Sequence, residues 1–377
     1  MKIVVLGAQP EYLSGLRGPL IRDLLAAGHD VTAIGAEEMV AVRTAIESWG
    51  ARYRVVPIRR AGLNPIADLG AILSLYRALR DEKPDLLFTY TVKPNVYGLP
   101  LGWLAGIKRR YGMVAGRGWA FGEGRELKRR ISRMIAILAF RFGFRFADGV
   151  ISQNEEDLTL FRELGIIRGK TRTTRVFGSG VDLEHFQPEP MPTGAKTFVM
   201  ICRLLVDKGV ADYAEAARIV RRTYPEAVFR LVGPFDHSPN GIAPETIQAW
   251  ANEGIIDYAG ATEDVRPFIA RAHALVLPTR YGEGVPRTVL EAMAMGRPVI
   301  VSDTPGCRDT VRDGENGRIV AAADIVGLAQ AMTALVSDDT QLEAAGRASR
   351  TLAVERFDSR AVNAAMIDFM GLKGVGA

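Results

Sequence analysis

Two cysteines in 377 residues, Cys202 and Cys307, leave no disulfide framework, and each reads as a small core residue of a reducing compartment. No run of about 18 apolar residues offers a membrane span, and the opening "MKIVVLGAQP" has too short an apolar run for a secretion signal, so a cytoplasmic protein is expected. The four histidines, His29, His185, His237 and His273, are scattered without ligand spacing, and no metal or other cofactor is expected. No low-complexity tract, short repeat or G-x-G-x-x-G turn occurs, which disfavours disordered, solenoid and dinucleotide-dependent classes. The acidic clusters "DDT" and "EED" read as solvated helix starts.

What is present is an ordinary globular composition, 48% hydrophobic and 24% charged, with a net charge of +5 that suits an anionic partner. No nucleic-acid module or interleaved aromatic strip accompanies that charge, so nucleic acid is not the expected partner. Short β-branched runs, "KIVVLG", "HDVTAIG", "RYRVVPI", "DLLFTY", "YGMVAG", "DGVISQ" and "TTRVFG", alternate with helical patterns. The pattern pauses at the proline-rich "FQPEPMPTGAKT" and restarts with "FVMIC", "VFRLVG", "IIDYAG", "ALVLPT", "PVIVSD" and "GRIVA". The expectation is α/β: two parallel-sheet domains with a cleft between them and functional residues just after strands. The boundaries read as 1–188, 189–357 and a final helical segment, 358–377, with apolar spacing at Val362, Met366 and Phe369.

The stretch "EGVPRTVLEAMAMG" puts a carboxylate, Glu291, on an otherwise apolar helix opening at Pro286. Burying that charge is costly without a partner. Arg287, one turn earlier, is one candidate partner; the vicinal hydroxyls of a ribose are the other. The amides of Gly284, Val285, Arg287 and Thr288 stand at the helix start, a place that favours phosphate. In "ICRLLVDKG", Arg203 and Lys208 follow the first strand of the second domain and can supply cations to a diphosphate.

Glu283 and Glu291 in the spacing E-x7-E, "CRLLVDKG", "GSGVDLEHFQP" and "PVIVSDTPG" together resemble the retaining glycosyltransferases of family 4, over nearly the whole chain. The resemblance implies the GT-B fold, two Rossmann-like domains facing a central cleft. "YTVKPNVYG" and "RGPLIRDL" look most like bacterial enzymes that build polysaccharides or lipid-linked glycans. It further implies a nucleotide-sugar donor, taken as a UDP-sugar, and a polyprenyl-diphosphate-linked acceptor. Arg203 and Lys208 would hold the donor diphosphate, Glu291 the ribose and Glu283 a hydroxyl of the reacting sugar. The backbone from Gly284 through Val285, Pro286 and Arg287 to Thr288 would meet sugar and phosphate oxygens, with Gly233 near the nucleotide. Many members carry a histidine after the fifth strand of the first domain, where this chain reads "VAGRGWAFGEG", so that residue is not carried over.

For the acceptor, position after strands selects Arg17, Lys93, Asn95 and Arg117, each of which also reads as an exposed loop residue. The segment 125–146 holds seven Arg or Lys residues among Ile, Leu, Met and Phe. It reads either as a basic amphipathic helix lying on the cytoplasmic face of an anionic inner membrane or as a crossover helix with solvated arginines. Three other readings stay open: a nucleotide-sugar epimerase, a hydrolase on the same fold, or a non-catalytic scaffold.

Overall fold

The computed structural model describes residues 1–58, 68–116, 121, 127–280 and 282–372. The chain forms two compact units, Met1–Ser179 together with the stretch that begins at Ser359, and Gly180–Asp358. The change of unit at Ser179 precedes the proline-rich stretch. Val181 already belongs to the second unit, where its N–H donates to Phe357 O at 2.7 Å and it bridges Asp358.

In the first unit the described strands are β1 (Lys2–Leu6), β2 (Asp30–Gly35), β3 (Arg52–Val55), β4 (Leu86–Tyr90), β5 (Arg109–Val114), β6 (Gly149–Ser152) and β7 (Arg172–Arg175). They pair in parallel in the order β3-β2-β1-β4-β5-β6-β7. The order reverses direction between β1 and β4, which makes their carboxyl ends the switch point of this sheet. Continuous apolar runs such as Ile3–Leu6 and Leu86–Phe88 are buried because helices cover both faces. The helix Ser359–Phe369 closes this core: Val362, Met366 and Ile367 are buried in it, and Asn363 donates to Asp23 at 2.8 Å.

The second unit carries β8 (Thr197–Ile201), β9 (Val228–Val232), β10 (Asp257–Tyr258), β11 (Ala274–Leu277), β12 (Val299–Ser302) and β13 (Gly317–Val320), again parallel, in the order β10-β9-β8-β11-β12-β13. Every strand expected from the sequence is present in both units. Arg297, fully buried, binds the stretch after Pro188 to this sheet by donating to the carbonyls of Glu189, Pro190, Ile269 and Ala270. Among the described residues no helix is long and apolar enough to cross a membrane.

Candidate active site

The helix at the centre of the second unit's site runs Arg287–Ala294, with Pro286 as its extended N-cap (φ −71°, ψ 120°) and not as its first helical residue. Proline serves there because its fixed φ suits an extended entry and it has no N–H to leave unpaired. The helix stops at Gly296, whose φ of +74° allows a left-handed turn. Gly296 N–H then donates to Met293 O and Arg297 N–H to Ala292 O, which satisfies the last carbonyls. Val289, Leu290, Ala292, Met293 and Ala294 are buried, and Glu291 is only 4% exposed among them.

Arg287 Nε donates to Glu291 Oε1 at 2.6 Å, so the i, i+4 partner that the sequence left open is in place. Burial nevertheless pushes the Glu291 carboxyl above its ordinary value, against the opposing pull of Arg287 and with a small addition from Asp264. Glu291 is therefore a buried carboxylate under electrostatic tension, held by a half-exposed arginine.

Lys208 ends the short turn Val206–Lys208, and Gly209 follows in a left-handed conformation (φ +76°) before the helix Val210–Val220. A Cβ at Gly209 would stand 2.0 Å from Pro278 O, so glycine alone lets this turn approach the end of β11. That approach brings Lys208 Nζ onto Glu283 Oε1, with Thr279 Oγ1 3.4 Å from the same oxygen. Burial alone would lower the Lys208 ammonium, but Glu283 outweighs it and the net shift is upward. The thiols of Cys202 and Cys307 are both pushed up to about 12 by burial, with Lys208 and Glu283 close enough to act on each. Both cysteines are therefore inert lining of the Lys208–Glu283 pair.

Arg203 is partly exposed and donates to Asp236 Oδ2 at 2.8 Å. Gly233, at φ +147°, packs so tightly that a Cβ there would lie 1.7 Å from Cys202 O, which brings the ends of β8 and β9 together beside Arg203. Gly306 does the same for the helix start: its Cβ would lie 1.7 Å from Gly284 O. Thus Lys208 meets Glu283 directly, Gly233 lies against the residue before Arg203, and Glu291 sits about one turn into the helix that follows Glu283, with its own arginine. Thr279, Asp236 and Gly306 were not anticipated. The glycine in "PVIVSDTPG" and the aspartate in "GPFD" after β9 were the available signals.

The acceptor candidates occupy the first unit, but not as exposed loop residues. Lys93 is buried and donates to both oxygens of Asp68, at 2.9 and 2.7 Å, while Tyr97 donates to the same carboxylate. Asn95, also buried, accepts from Thr89 Oγ1 and donates to Met113 O. The reason is that "KPNVYG" continues into a wide helical turn, Pro94–Gly98, and on into the helix Leu99–Leu104, which turns these side chains inward. Arg17 is 1% exposed. Arg117 lies outside the described residues.

The segment 125–146 forms the helix Leu127–Phe144 from its third residue onward. Ala136, Phe140 and Phe144 face the core, as a crossover helix requires. A second apolar row, Leu127, Ile131, Met134, Ile135, Leu138 and Phe142, is exposed. At about 100° per residue these six fall within one arc of roughly 100°.

Two family models match the chain: the glycosyl transferase 4-like domain over residues 18–176 and glycosyl transferases group 1 over residues 195–338. The N,N'-diacetylbacillosaminyl-diphospho-undecaprenol alpha-1,3-N-acetylgalactosaminyltransferase of Campylobacter jejuni is 26% identical over 352 residues, 90% of each chain. The UDP-Gal:alpha-D-GlcNAc-diphosphoundecaprenol alpha-1,3-galactosyltransferase of Escherichia coli is 26% identical over 80% of this chain and 79% of its own. Among solved structures, Anabaena HepE in complex with UDP-glucose superposes with a TM-score of 0.78 at 18% identity, over 98% of this chain and 99% of that one. This last likeness speaks for the fold.

Proposed function

The chain belongs to the group 1 glycosyl transferases, with a glycosyl transferase 4-like domain in its first half, and is a glycosyltransferase of the GT-B fold; from that premise we propose that it transfers a sugar, with retention, from a UDP-sugar to a glycan carried on a polyprenyl diphosphate. Two relatives, each named for an undecaprenyl diphosphate acceptor and one for UDP-Gal as donor, support this substrate pair.

In this reading the second unit holds the donor. Arg203 and Lys208 bind the diphosphate, and the amides at the start of Arg287–Ala294 add a partial positive charge. Glu291 accepts the ribose hydroxyls in competition with Arg287, and Glu283 accepts a hydroxyl of the transferred sugar. The acceptor hydroxyl attacks the anomeric carbon on the face the diphosphate leaves, and a leaving phosphate oxygen takes its proton. Negative charge grows on the diphosphate as that bond breaks, so fixed cations stabilise the transition state more than the bound donor. The cations and helix start supply this stabilisation without a metal.

The observation that carries the reading is the partly buried Lys208–Glu283 pair just ahead of the helix start, a cation for the leaving group beside an acceptor for the sugar. The test is incubation of purified protein with a panel of UDP-sugars and a short polyprenyl-diphosphate-linked N-acetylhexosamine, with and without EDTA, followed by mass spectrometry. A hexose or N-acetylhexosamine added at equal rate in both conditions is expected. Donor turnover without acceptor would instead favour the hydrolase or epimerase, and absence of turnover a scaffold.

The lipid acceptor asks for access to a bilayer, and the exposed row Leu127 to Phe142 supplies it. Arg130, Arg133, Arg141 and Arg145 are exposed on the same helix and its extension, and Trp103 and Leu104 are exposed on the neighbouring helix. The Trp103 and Phe146 rings meet in a tilted contact with centroids 5.2 Å apart, which joins the two helices into one face. An apolar row flanked by arginines with a tryptophan suits the headgroup region of an anionic membrane. The protein is accordingly proposed to work peripherally on the cytoplasmic face of the inner membrane.

A further inference from the structure

Arg17 is a buried cation without a carboxylate partner among the described residues. Among the described residues its guanidinium meets only the thioether of Met113, from Nη2 at 2.8 Å, and the ring face of Tyr90, 5.2 Å from the centroid. Its Nε is buried with no hydrogen-bond partner among the described residues, and so are the hydroxyls of Tyr90 and Thr91. The other buried arginine among the described residues is treated differently: Arg297 donates to five carbonyls.

Position sharpens the anomaly. Arg17 is the N-cap of the nine-residue helix Gly18–Ala26, so the buried cation stands at the positive end of a helix. Two unfavourable effects, desolvation of a charge and its repulsion by the helix start, act on one side chain, and among the described residues only an aromatic face and a thioether oppose them. Burial accordingly lowers its ordinary value to about 10. Tyr90 ends β4 and Thr91 follows it in a left-handed conformation (φ +70°), rare for a β-branched residue. Gly7 follows β1, and a Cβ there would lie 2.2 Å from the Tyr90 hydroxyl, so the phenol fits only because residue 7 is glycine. Arg17, Tyr90 and Thr91 therefore gather at the carboxyl ends of β1 and β4, the switch point where parallel sheets of this kind take ligands.

We propose that Arg17, Tyr90 and Thr91 form an anion site in the first unit for the diphosphate of the acceptor. An anion relieves both unfavourable effects, accepts from Nε of Arg17 and from the two hydroxyls, and replaces a weak sulfur acceptor with a charged oxygen. The site rests on the acceptor reading above only for the source of the diphosphate.

The test is calorimetric titration of farnesyl diphosphate, and separately of inorganic diphosphate, into protein saturated with UDP so that the donor site is filled. Wild type, Arg17→Met and Tyr90→Phe are compared, with thermal unfolding of each free protein. Loss of a charge-assisted contact predicts at least about tenfold weaker farnesyl diphosphate binding in Arg17→Met and a smaller loss in Tyr90→Phe. UDP affinity should stay within about twofold. The free Arg17→Met protein should be at least as stable as wild type, since a strained charge is removed. Tighter binding of farnesyl than of inorganic diphosphate assigns the site to the lipid; equal binding assigns it to the diphosphate group alone. Unchanged affinity in both variants, or a marked loss of stability in Arg17→Met, overturns the proposal and leaves Arg17 a structural residue satisfied by buried water. Because binding is read without turnover, a protein that transfers no sugar can still pass or fail this test.

Discussion

Lys208 and Glu283, 75 residues apart in the chain, form an ion pair that is largely withdrawn from solvent. Removing either side chain takes away an opposite charge that acts on the other in a partly buried setting. Glu283→Ala is expected to lower kcat by on the order of 10²–10³, the range seen when a single transition-state contact is lost, and to leave the donor KM within about threefold. Steady-state kinetics with the donor varied at saturating acceptor checks this.

Glu291 is assigned to binding, so its loss should show in affinity. Glu291→Ala is expected to weaken UDP binding by roughly tenfold or more, as loss of a charged hydrogen-bond acceptor does, with kcat changed less than in Glu283→Ala. The raised Glu291 carboxyl also predicts that UDP affinity begins to fall at a higher pH than an ordinary carboxylate would dictate, since protonation removes the acceptor. Glu291→Gln should flatten that pH profile. Titrations across the mildly acidic range decide it.

His273 gives the second unit a pH-dependent stability. Its ring is buried, and Nδ1 accepts from the Thr197 N–H at 3.0 Å, a contact only the unprotonated ring can make. Burial first, then the nearby Lys196 charge, push it down to about 4. The unfolded chain therefore takes up a proton below about pH 6.5 while the folded one does not until near 4. Stability conferred by the neutral ring is complete above the unfolded value and is lost as pH falls toward the folded one. Between pH 7 and 5 the unfolding free energy should drop by about 2 kcal/mol from this group. Urea unfolding of wild type and His273→Gln at both values tests it; equal slopes would remove His273 from the account.

The exposed apolar row predicts vesicle binding. Leu138→Glu with Phe142→Glu should reduce co-sedimentation with anionic vesicles at least about tenfold, because two apolar anchors are replaced by charges of the repelled sign. Arg130→Glu with Arg133→Glu should weaken it and lessen its salt dependence. Binding indifferent to anionic lipid content would contradict the role of the arginines.

Much of this molecule was legible from its sequence. The β-branched runs mark the parallel strands because strands covered on both faces need apolar residues at every position, and short length with β-branched content separates them from buried helix segments. The proposed donor residues were selected for a related reason: Arg203, Lys208, Glu283 and Glu291 lie just after strands or on a helix whose apolar pattern they interrupt. What could not be read was where a side chain turns after its strand. Lys93 and Asn95 looked like loop residues, yet the wide turn Pro94–Gly98 carries them inward to Asp68 and Thr89. The pairing of Arg203 with Asp236 depends on β8 and β9 being neighbours, which is a property of topology. The second apolar row of the helix Leu127–Phe144 was mixed in the sequence with the first, and only the fold separates the face that is core from the face that is bare.

The most direct test of the whole account is a proton NMR time course of the anomeric signal during reaction of a UDP-α-sugar with the polyprenyl-diphosphate-linked acceptor. The account predicts that the first new glycosidic signal is that of an α-linked product, appearing in step with UDP release. A β-linked first product, or release of free sugar with the acceptor unchanged, would contradict it.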